Sequence, residues 1–235
     1  MKANISPVKA ALVFFVFTLY FYLLLFTLVP WLQSNYTLNP ALYWFITGYF
    51  LFMPIFLVAV LMSAREGGKS LREILDSLNV RLLSKKEWAW AIAGLLACFV
   101  STGLVFGASY ALSAYCGFRP ISTTPWFMEI SPFHGKDALL LLVWLPMFFF
   151  NIAGEELLWR GYIQARLPGG YWPLCSLLWL MFHLPFGFEL LIILVPIIVI
   201  VPYVYYKTNN TLAGVFIHGL YNGPVFVAVA LGLIH

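Results

Sequence analysis

The chain alternates long apolar stretches with short polar connections. A helix needs about 20 apolar residues to cross the hydrocarbon core of a bilayer, and on that basis the sequence predicts seven membrane spans. They are Val8–Trp31, Ala41–Ser63, Trp88–Tyr115, Ala138 to about Leu167, Trp172–Pro185, Leu190–Tyr206 and Leu212–Leu233. We therefore expect an all-α, polytopic membrane helix bundle in which residues 1–235 form a single integral membrane domain.

The segment Arg65–Glu87 interrupts this pattern with many charged residues. Within it, Leu71, Ile74, Leu75 and Leu78 recur at helical spacing beside charged neighbours. Such a pattern is typical of an amphipathic helix that lies on the membrane surface. We expect one there, between the second and third spans.

The composition agrees with a membrane protein. Of the 235 residues, 63% are hydrophobic and 9% are charged, whereas a soluble domain carries about 25% charged residues. The net charge of +4 therefore bears on which loops face the cytoplasm and gives no indication of nucleic-acid binding. The three cysteines, Cys98, Cys116 and Cys175, are unevenly spaced and predict neither a disulfide framework nor a thiolate metal site.

The distribution of basic residues predicts the orientation in the membrane. If the N-terminus is cytoplasmic, the surface helix lies on the cytoplasmic side together with Lys2, Lys9, Arg166 and Lys207. Only two basic loop residues are then left on the other side, Arg119 and Lys136. The positive-inside rule thus favours a cytoplasmic N-terminus and an external C-terminus, in the inner or plasma membrane of a cell.

A few polar residues remain inside the predicted spans. Ionisable groups at membrane depth are costly and usually functional. These residues are, in chain order, Glu155, Glu156, Arg160, His183, His218 and Asn222. Each also has a purely structural explanation, because intramembrane polar side chains often hydrogen-bond neighbouring helices or fill packing positions.

Helical spacing separates the two carboxylates. Glu156 and Arg160 stand four residues apart and can neutralise each other on one helix face. Glu155 points about 100° away from Glu156, so one arginine cannot easily serve both. Glu155 is therefore the candidate general base, with His183 as a partner that orients the water or carries its proton.

The last predicted span offers a second half of such a site. His218 and Asn222 share a helix face at positions i and i+4. Their side chains could donate hydrogen bonds to the oxyanion of a tetrahedral intermediate. These are the parts of a hydrolase that acts on a carbonyl group. The sequence has no Gly-x-Ser-x-Gly motif that would indicate a serine nucleophile.

Three motifs in this order resemble those of the CPBP family of intramembrane proteases. They are Glu155-Glu156-x-x-x-Arg160, Trp179-x-x-x-His183 and His218-x-x-x-Asn222. This family includes the type II CAAX prenyl endopeptidases and proteins of bacteriocin processing and abortive infection. The resemblance covers a protease core of about residues 138–233.

The resemblance implies a role for each motif residue. Glu155 would activate the hydrolytic water beside His183, and His218 with Asn222 would form the oxyanion site. Glu156 and Arg160 would support the first motif. The second motif usually begins with Phe, so we expect Trp179 to alter the shape of the pocket more than its chemistry.

The sequence therefore predicts a glutamate-type intramembrane endopeptidase that cleaves a membrane-associated or lipidated peptide near the cytoplasmic side of the bilayer. The expected partners are such a substrate and the lipid bilayer, without nucleic acid, and the resemblance implies neither a cofactor nor an obligatory metal. Two alternatives stay open: a zinc metalloprotease built on the same residues, and a non-catalytic membrane scaffold or immunity protein. A prenylated C-terminus, a peptide pheromone, a bacteriocin leader and a C-terminal sorting tail are all substrates compatible with the sequence.

Overall fold

A computed structural model describes residues 4–68, 70–128 and 131–233, and these residues form helices without any strand. Six helical runs among them are long and apolar enough to cross a membrane. The predicted all-α membrane fold is confirmed. The α-helices are α1 Pro7–Leu23, α2 Val29–Asn35, α3 Pro40–Arg65, α4 Leu71–Ser77, α5 Lys85–Cys116, α6 Leu140–Glu155, α7 Trp172–Phe182, α8 Phe188–Thr208 and α9 Thr211–Ala230.

Two of the long runs change helix type along their length. A π-helix, Leu24–Leu28, joins α1 to α2. A second π-helix, Glu156–Ile163, continues α6 and leads into a 3₁₀ turn, Gln164–Arg166. π-Helical segments are rare and occur frequently at functional sites, and this second one begins at the second residue of the Glu-Glu pair.

The surface helix is present but short. It comprises α4 alone, and none of its residues is buried. The Ser70 hydroxyl accepts from the backbone N–H of Glu73 while the Glu73 carboxylate accepts from the backbone N–H of Ser70, which is the reciprocal cap that starts a helix. Its predicted residue Lys69 lies outside the described residues.

The two ends of the bundle differ in charge. At one end, called the basic end, Ile5 donates its backbone N–H to the Arg166 carbonyl at 3.1 Å, and Asn210 Nδ2 lies 3.0 Å from the Arg81 carbonyl. The basic residues at this end are Lys9, Arg65, Arg72, Arg81, Lys85, Lys86, Arg166 and Lys207. The connections that follow α5 and precede α8 meet at the opposite end, where Arg119 and Lys136 are found. Lys2 lies outside the described residues.

The predicted fifth span is the shortest crossing. Its helix, α7, has 11 residues and is followed by a 3₁₀ turn, Leu184–Phe186. At about 1.5 Å per residue, α7 extends only about 16 Å, so it does not count among the six long runs. It nevertheless leads from the basic end to the opposite end, where the carbonyl of Pro185 accepts from Trp126 Nε1 at 2.8 Å. The described chain thus crosses the bundle seven times, and its two termini lie at opposite ends.

Glycines allow the helices that carry the motif to pack closely. A Cβ on Gly154 would lie 2.9 Å from the carbonyl oxygen of Phe52 on α3. A Cβ on Gly161 would lie 2.7 Å from the carbonyl oxygen of Leu78. Both distances are shorter than van der Waals contact, so a larger residue at Gly154 or at Gly161 would push this helical run away from its neighbours. The cysteines are all free thiols, of which Cys98 and Cys175 are buried.

Candidate active site

Glu155 is the last residue of α6 and is almost completely buried, with 1% of its surface exposed. Its Oε1 accepts a hydrogen bond from Asn151 Nδ2 at 2.8 Å. Its Oε2 accepts one from Trp179 Nε1 at 2.6 Å. Two N–H donors on one carboxyl group suit the ionised form, because hydrogen bonds to a carboxylate are shorter and stronger than neutral ones. The direct partners of Glu155 are therefore an amide and an indole, not the two histidines.

Glu156 is fully buried and points towards α9. Its Oε1 lies 3.0 Å from His218 Nδ1. Its Oε2 lies 3.5 Å from Arg160 Nε, within ion-pair distance. The pairing expected between Glu156 and Arg160 is thus present, while the hydrogen bond of this carboxylate goes to His218.

Arg160 is also fully buried, and an aromatic ring compensates part of its charge. Its guanidinium carbon lies 3.6 Å from the centre of the Trp179 ring, a geometry that attracts a cation to the ring face. None of its guanidinium nitrogens has a hydrogen-bond partner among the described residues. The stability of this buried cation therefore depends on Glu156 and on Trp179.

Gly214 on α9 makes room for the carboxylate of Glu156. A Cβ at this position would overlap Oε2 of Glu156. Gly214 precedes His218 by one helical turn, so the same face of α9 provides the space for the carboxylate and the imidazole that it contacts. Only a residue without a side chain allows this approach.

His183 directly follows α7 and has φ −89° and ψ 0°, in a sparsely populated backbone region where many active-site residues lie. Its Nδ1 is 2.8 Å from the backbone carbonyl oxygen of Trp179. A carbonyl can only accept, so Nδ1 carries the hydrogen and Nε2 of the neutral ring is an acceptor. The ring stacks on Phe186, with 5.5 Å between the centroids.

One cavity of about 540 Å³ brings the predicted catalytic residues together. Glu155, His183, His218 and Asn222 all line it, as does Asn151. Asn222 is partly exposed, and its amide makes no side-chain hydrogen bond with another described residue. Most of the remaining wall is aromatic or aliphatic, including Trp44, Phe52, Phe99, Phe106, Trp144, Met147, Phe148, Phe186, Leu190, Leu194 and Val225. Glu156, Arg160 and Trp179 are not part of the wall and support it from behind.

The cavity extends from Glu155 towards the opposite end of the bundle. Residues of the connection after α5, namely Thr123, Thr124, Pro125 and Met128, line its far part. Glu155 itself lies eleven positions before Arg166 at the basic end and twenty positions after Gly135 at the opposite end of the same helical run. The carboxylate is thus nearer the basic end, but the cavity that leads to it extends towards the opposite end.

Two residues of this site were not predicted from the sequence. Asn151 precedes Glu155 by four positions and faces it, and an amide in an apolar span is the signal that could have identified it. Gly214 precedes His218 by four positions, but nothing in the sequence distinguishes it from other membrane glycines. Its importance depends on the position of Glu156, which belongs to a different helix.

A metal ion at this site would need ligands among the described side chains. No group of three or more His, Cys, Asp or Glu side chains in this part of the chain is arranged to hold a metal ion. Moreover, Nδ1 of each site histidine already contacts a protein oxygen, the Trp179 carbonyl for His183 and Glu156 for His218. Each histidine therefore has only Nε2 available towards the cavity.

Part of the chain matches a known protein family. Residues 137–223 match the model of a protein family named Rce1-like, whose description is type II CAAX prenyl endopeptidase Rce1-like. These residues form an Rce1-like endopeptidase domain. The matched range includes the three motifs from Glu155 to Asn222, so the resemblance predicted from those motifs is confirmed. No curated protein matches the chain, and no solved structure does.

The Rce1-like domain identifies the protein as a peptidase. Its match covers nearly all of the run Gly135–Arg166, the helices α7 and α8, and most of α9. Six helical runs of the described residues are also long and apolar enough to cross a membrane. The protein is therefore an integral, multi-pass membrane protein that carries an intramembrane endopeptidase domain.

Proposed function

We propose that the protein is a glutamate-type intramembrane endopeptidase that hydrolyses a peptide bond in a membrane-associated or lipidated peptide. The observation that carries this proposal is the convergence of Glu155, His183, His218 and Asn222, from three parts of the chain, on one cavity. A Glu, two His and an Asn are rare inside a membrane bundle. Their convergence on one apolar space is what hydrolysis of a bound peptide requires.

Glu155 is the proposed general base. Each oxygen of its carboxylate accepts one protein hydrogen bond, and each has a further acceptor site for a water. His183, with Nε2 as an acceptor, can orient the same water. Glu155 takes a proton from the water while the oxygen adds to the peptide carbonyl carbon, and that proton then passes to the leaving nitrogen as the C–N bond breaks.

His218 and Asn222 are the proposed donors to the oxyanion. The amide of Asn222 can donate directly. Because Nδ1 of His218 faces Glu156 at 3.0 Å, His218 donates from Nε2 only when both of its nitrogens carry protons. The carboxylate of Glu156 is positioned to stabilise that cation, so Glu156 acts on the reaction through His218. Preorganised donors of this kind contribute about 3–4 kcal/mol each to stabilising such an intermediate.

The cavity favours an apolar substrate group. A wall that is mostly aromatic and aliphatic binds lipid chains or large apolar side chains by excluding water from them. The family name describes prenylated CAAX peptides as substrates, so a farnesylated CAAX peptide is the first probe to test. We further propose that the whole chain is one membrane domain with the basic end in the cytoplasm, as the positive-inside rule favours.

The test compares site variants with controls in purified protein reconstituted in lipid nanodiscs. Cleavage of the farnesylated peptide is expected to disappear in Glu155→Ala and in His183→Ala, while both variants unfold at the wild-type temperature. Asp76→Ala and His134→Ala serve as controls, because both residues are exposed and lie outside the cavity. Full activity in Glu155→Ala would refute the mechanism.

A second experiment covers substrates other than the farnesylated peptide. The membrane proteome of a strain with the wild-type chain is compared with that of a Glu155→Ala strain, and uncleaved precursors are expected to accumulate in the variant. If the two proteomes agree and the biological phenotype is intact in the variant, the non-catalytic scaffold is favoured and the proposed peptidase mechanism is wrong.

A further inference from the structure

Trp179 occupies the position at which the motif of the resembled family usually has Phe. Its side chain is completely buried, and its Nε1 lies 2.6 Å from Oε2 of Glu155. An indole N–H can only donate, so the direction of this hydrogen bond is fixed. Phe could fill the same space but could not make this contact.

The same residue contacts three further polar residues of the site. Its backbone carbonyl accepts from Nδ1 of His183 at 2.8 Å. The Arg160 guanidinium lies on its ring face at 3.6 Å, and the ring of His218 meets it edge-on with 5.3 Å between centroids. Because a cation lies on its face and the His218 ring packs against it in a T-shaped arrangement, the indole cannot rotate without breaking several contacts at once.

We propose that Trp179 is a positioning residue that holds the Glu155 carboxylate in its reactive orientation through the indole N–H. This inference rests on the proposed role of Glu155 as general base. The indole fixes Oε2 while Asn151 fixes Oε1, so the carboxylate has one preferred rotation and its remaining acceptor sites are preorganised for the water. In this proposal the Phe-to-Trp difference changes the chemistry of the site, whereas the sequence alone predicts a change in the shape of the pocket more than in its chemistry.

This role predicts an effect on kcat and not on KM. Trp179 does not line the cavity, so it has no direct contact with a substrate bound there. An interaction that matters only for the activation of water lowers kcat when it is removed and leaves substrate binding unchanged. A residue that merely filled space would affect neither constant once its shape was preserved.

The decisive variant replaces Trp179 with benzothienylalanine, which keeps the shape of the indole but has sulfur in place of the N–H. With the farnesylated CAAX peptide as the probe, kcat is expected to fall about 10- to 100-fold, because even a small misplacement of a reacting group can cost about 100-fold in rate, with KM unchanged. Trp179→Phe, the residue usual in the family, is the second variant and is expected to show the same loss of kcat.

Trp159 provides the matched control. It is also completely buried and stacks on Phe14 with 4.0 Å between centroids, but its Nε1 has no hydrogen-bond partner among the described residues. Benzothienylalanine at position 159 removes an N–H without removing a hydrogen bond. Its kcat and KM should equal those of the wild type.

Ultraviolet resonance Raman spectroscopy tests the contact without any substrate. The indole band that reports N–H hydrogen bonding should lose a strongly bonded component in Glu155→Ala, and the same component should be missing in the benzothienylalanine variant at position 179. An unchanged band in Glu155→Ala would overturn the proposed contact, even if one of the position-179 variants failed to fold.

The outcomes separate this inference from the proposed function. If Glu155→Ala retains activity, the glutamate mechanism is wrong. If Glu155→Ala is inactive but benzothienylalanine or Phe at position 179 retains the wild-type kcat, the mechanism stands and the positioning role of Trp179 is overturned.

Discussion

Nδ1 of His218 lies 3.0 Å from Oε1 of Glu156, which joins the second carboxylate of the Glu-Glu pair to the last helix of the bundle. This contact connects two motifs that are 62 residues apart in sequence. It also gives the two adjacent glutamates different surroundings: Glu155 faces the cavity, and Glu156 faces a histidine and an arginine behind it. Adjacent carboxylates can therefore have separate functions.

The first prediction concerns the charge of Glu156. In Glu156→Gln the amide keeps the shape of the side chain, but the buried Arg160 cation loses its carboxylate partner and retains only the Trp179 ring. Breaking a buried ion pair by removing one partner costs about 3–5 kcal/mol, so the free energy of unfolding in detergent should fall by that amount. Peptide cleavage should also be lost, because His218 no longer has a carboxylate to stabilise its charged form.

A double variant isolates the cause of that instability. Glu156→Gln combined with Arg160→Met removes both charges, and it should regain most of the stability while remaining inactive. If the double variant is no more stable than Glu156→Gln alone, the charge of Arg160 is not the source of the loss.

The second prediction concerns the space at Gly214. In Gly214→Ala the added methyl group displaces the carboxylate of Glu156, so the hydrogen bond to His218 is lost. Overpacking of this kind costs about 1–3 kcal/mol, and cleavage should fall together with the melting temperature. Gly107→Ala is the control, because a Cβ there meets nothing within 4 Å; it should be active and at least as stable as the wild type. A fully active Gly214→Ala would contradict the proposed role of the Glu156–His218 contact.

The helices could be predicted from the sequence because each apolar stretch is long and bounded by polar residues. The predicted limits of α3 and α8 lie within one helical turn of those observed. α7 is different: the apolar pattern continues through Pro185, but the helix ends at Phe182. A proline cannot donate the next backbone hydrogen bond, and the positive φ of 92° at Gly187 turns the chain into α8.

The members of the site were predictable, whereas their pairing was not. Rare polar residues in apolar spans identify Glu155, His183 and His218 by type alone. Spacing along a single helix also paired Glu156 with Arg160. It could not reveal that Trp179 holds Glu155, because that contact joins separate helices and depends on how they pack. Asn151 lies four positions before Glu155 on the same helix, so the spacing rule could have identified it. The chain is π-helical from Glu156 to Ile163. Side-chain directions there differ from those of an α-helix, which made the contacts of Glu156 and Arg160 still harder to predict from spacing.

The third prediction concerns Asn151, whose Nδ2 donates to Oε1 of Glu155 at 2.8 Å. Asn151→Ala should lower kcat by about 10- to 100-fold, because a small misplacement of the Glu155 carboxylate is enough to slow the reaction by that factor. The kinetics of the farnesylated peptide provide the measurement. Asn35→Ala is a control for the residue type, since Asn35 is exposed and bonds only the local carbonyl of Trp31. Wild-type kcat in Asn151→Ala would show that Trp179 alone suffices to hold the carboxylate.

The fourth prediction concerns metal dependence and separates the glutamate mechanism from a zinc protease on the same residues. Both oxygens of Glu155 already accept hydrogen bonds, from Asn151 and Trp179, which suits a base better than a metal ligand. We expect cleavage to persist after dialysis against a strong chelator, and the purified protein to contain far less than one zinc ion per chain. Loss of activity on chelation, restored by added zinc, would favour the metalloprotease.

The last prediction tests whether the substrate occupies the cavity. Gly103 lies on its wall, and a Cβ at this position meets nothing within 4 Å. Gly103→Leu should therefore fold normally but place a branched side chain in the space that we assign to the apolar group of the substrate. KM for the farnesylated peptide should rise by about tenfold or more, the equivalent of about 1.4 kcal/mol of lost binding, while kcat changes less. Gly107→Leu, one helical turn further along α5 and outside the cavity wall, should leave KM unchanged. An equal KM in both variants would mean that the substrate reaches Glu155 without filling this cavity.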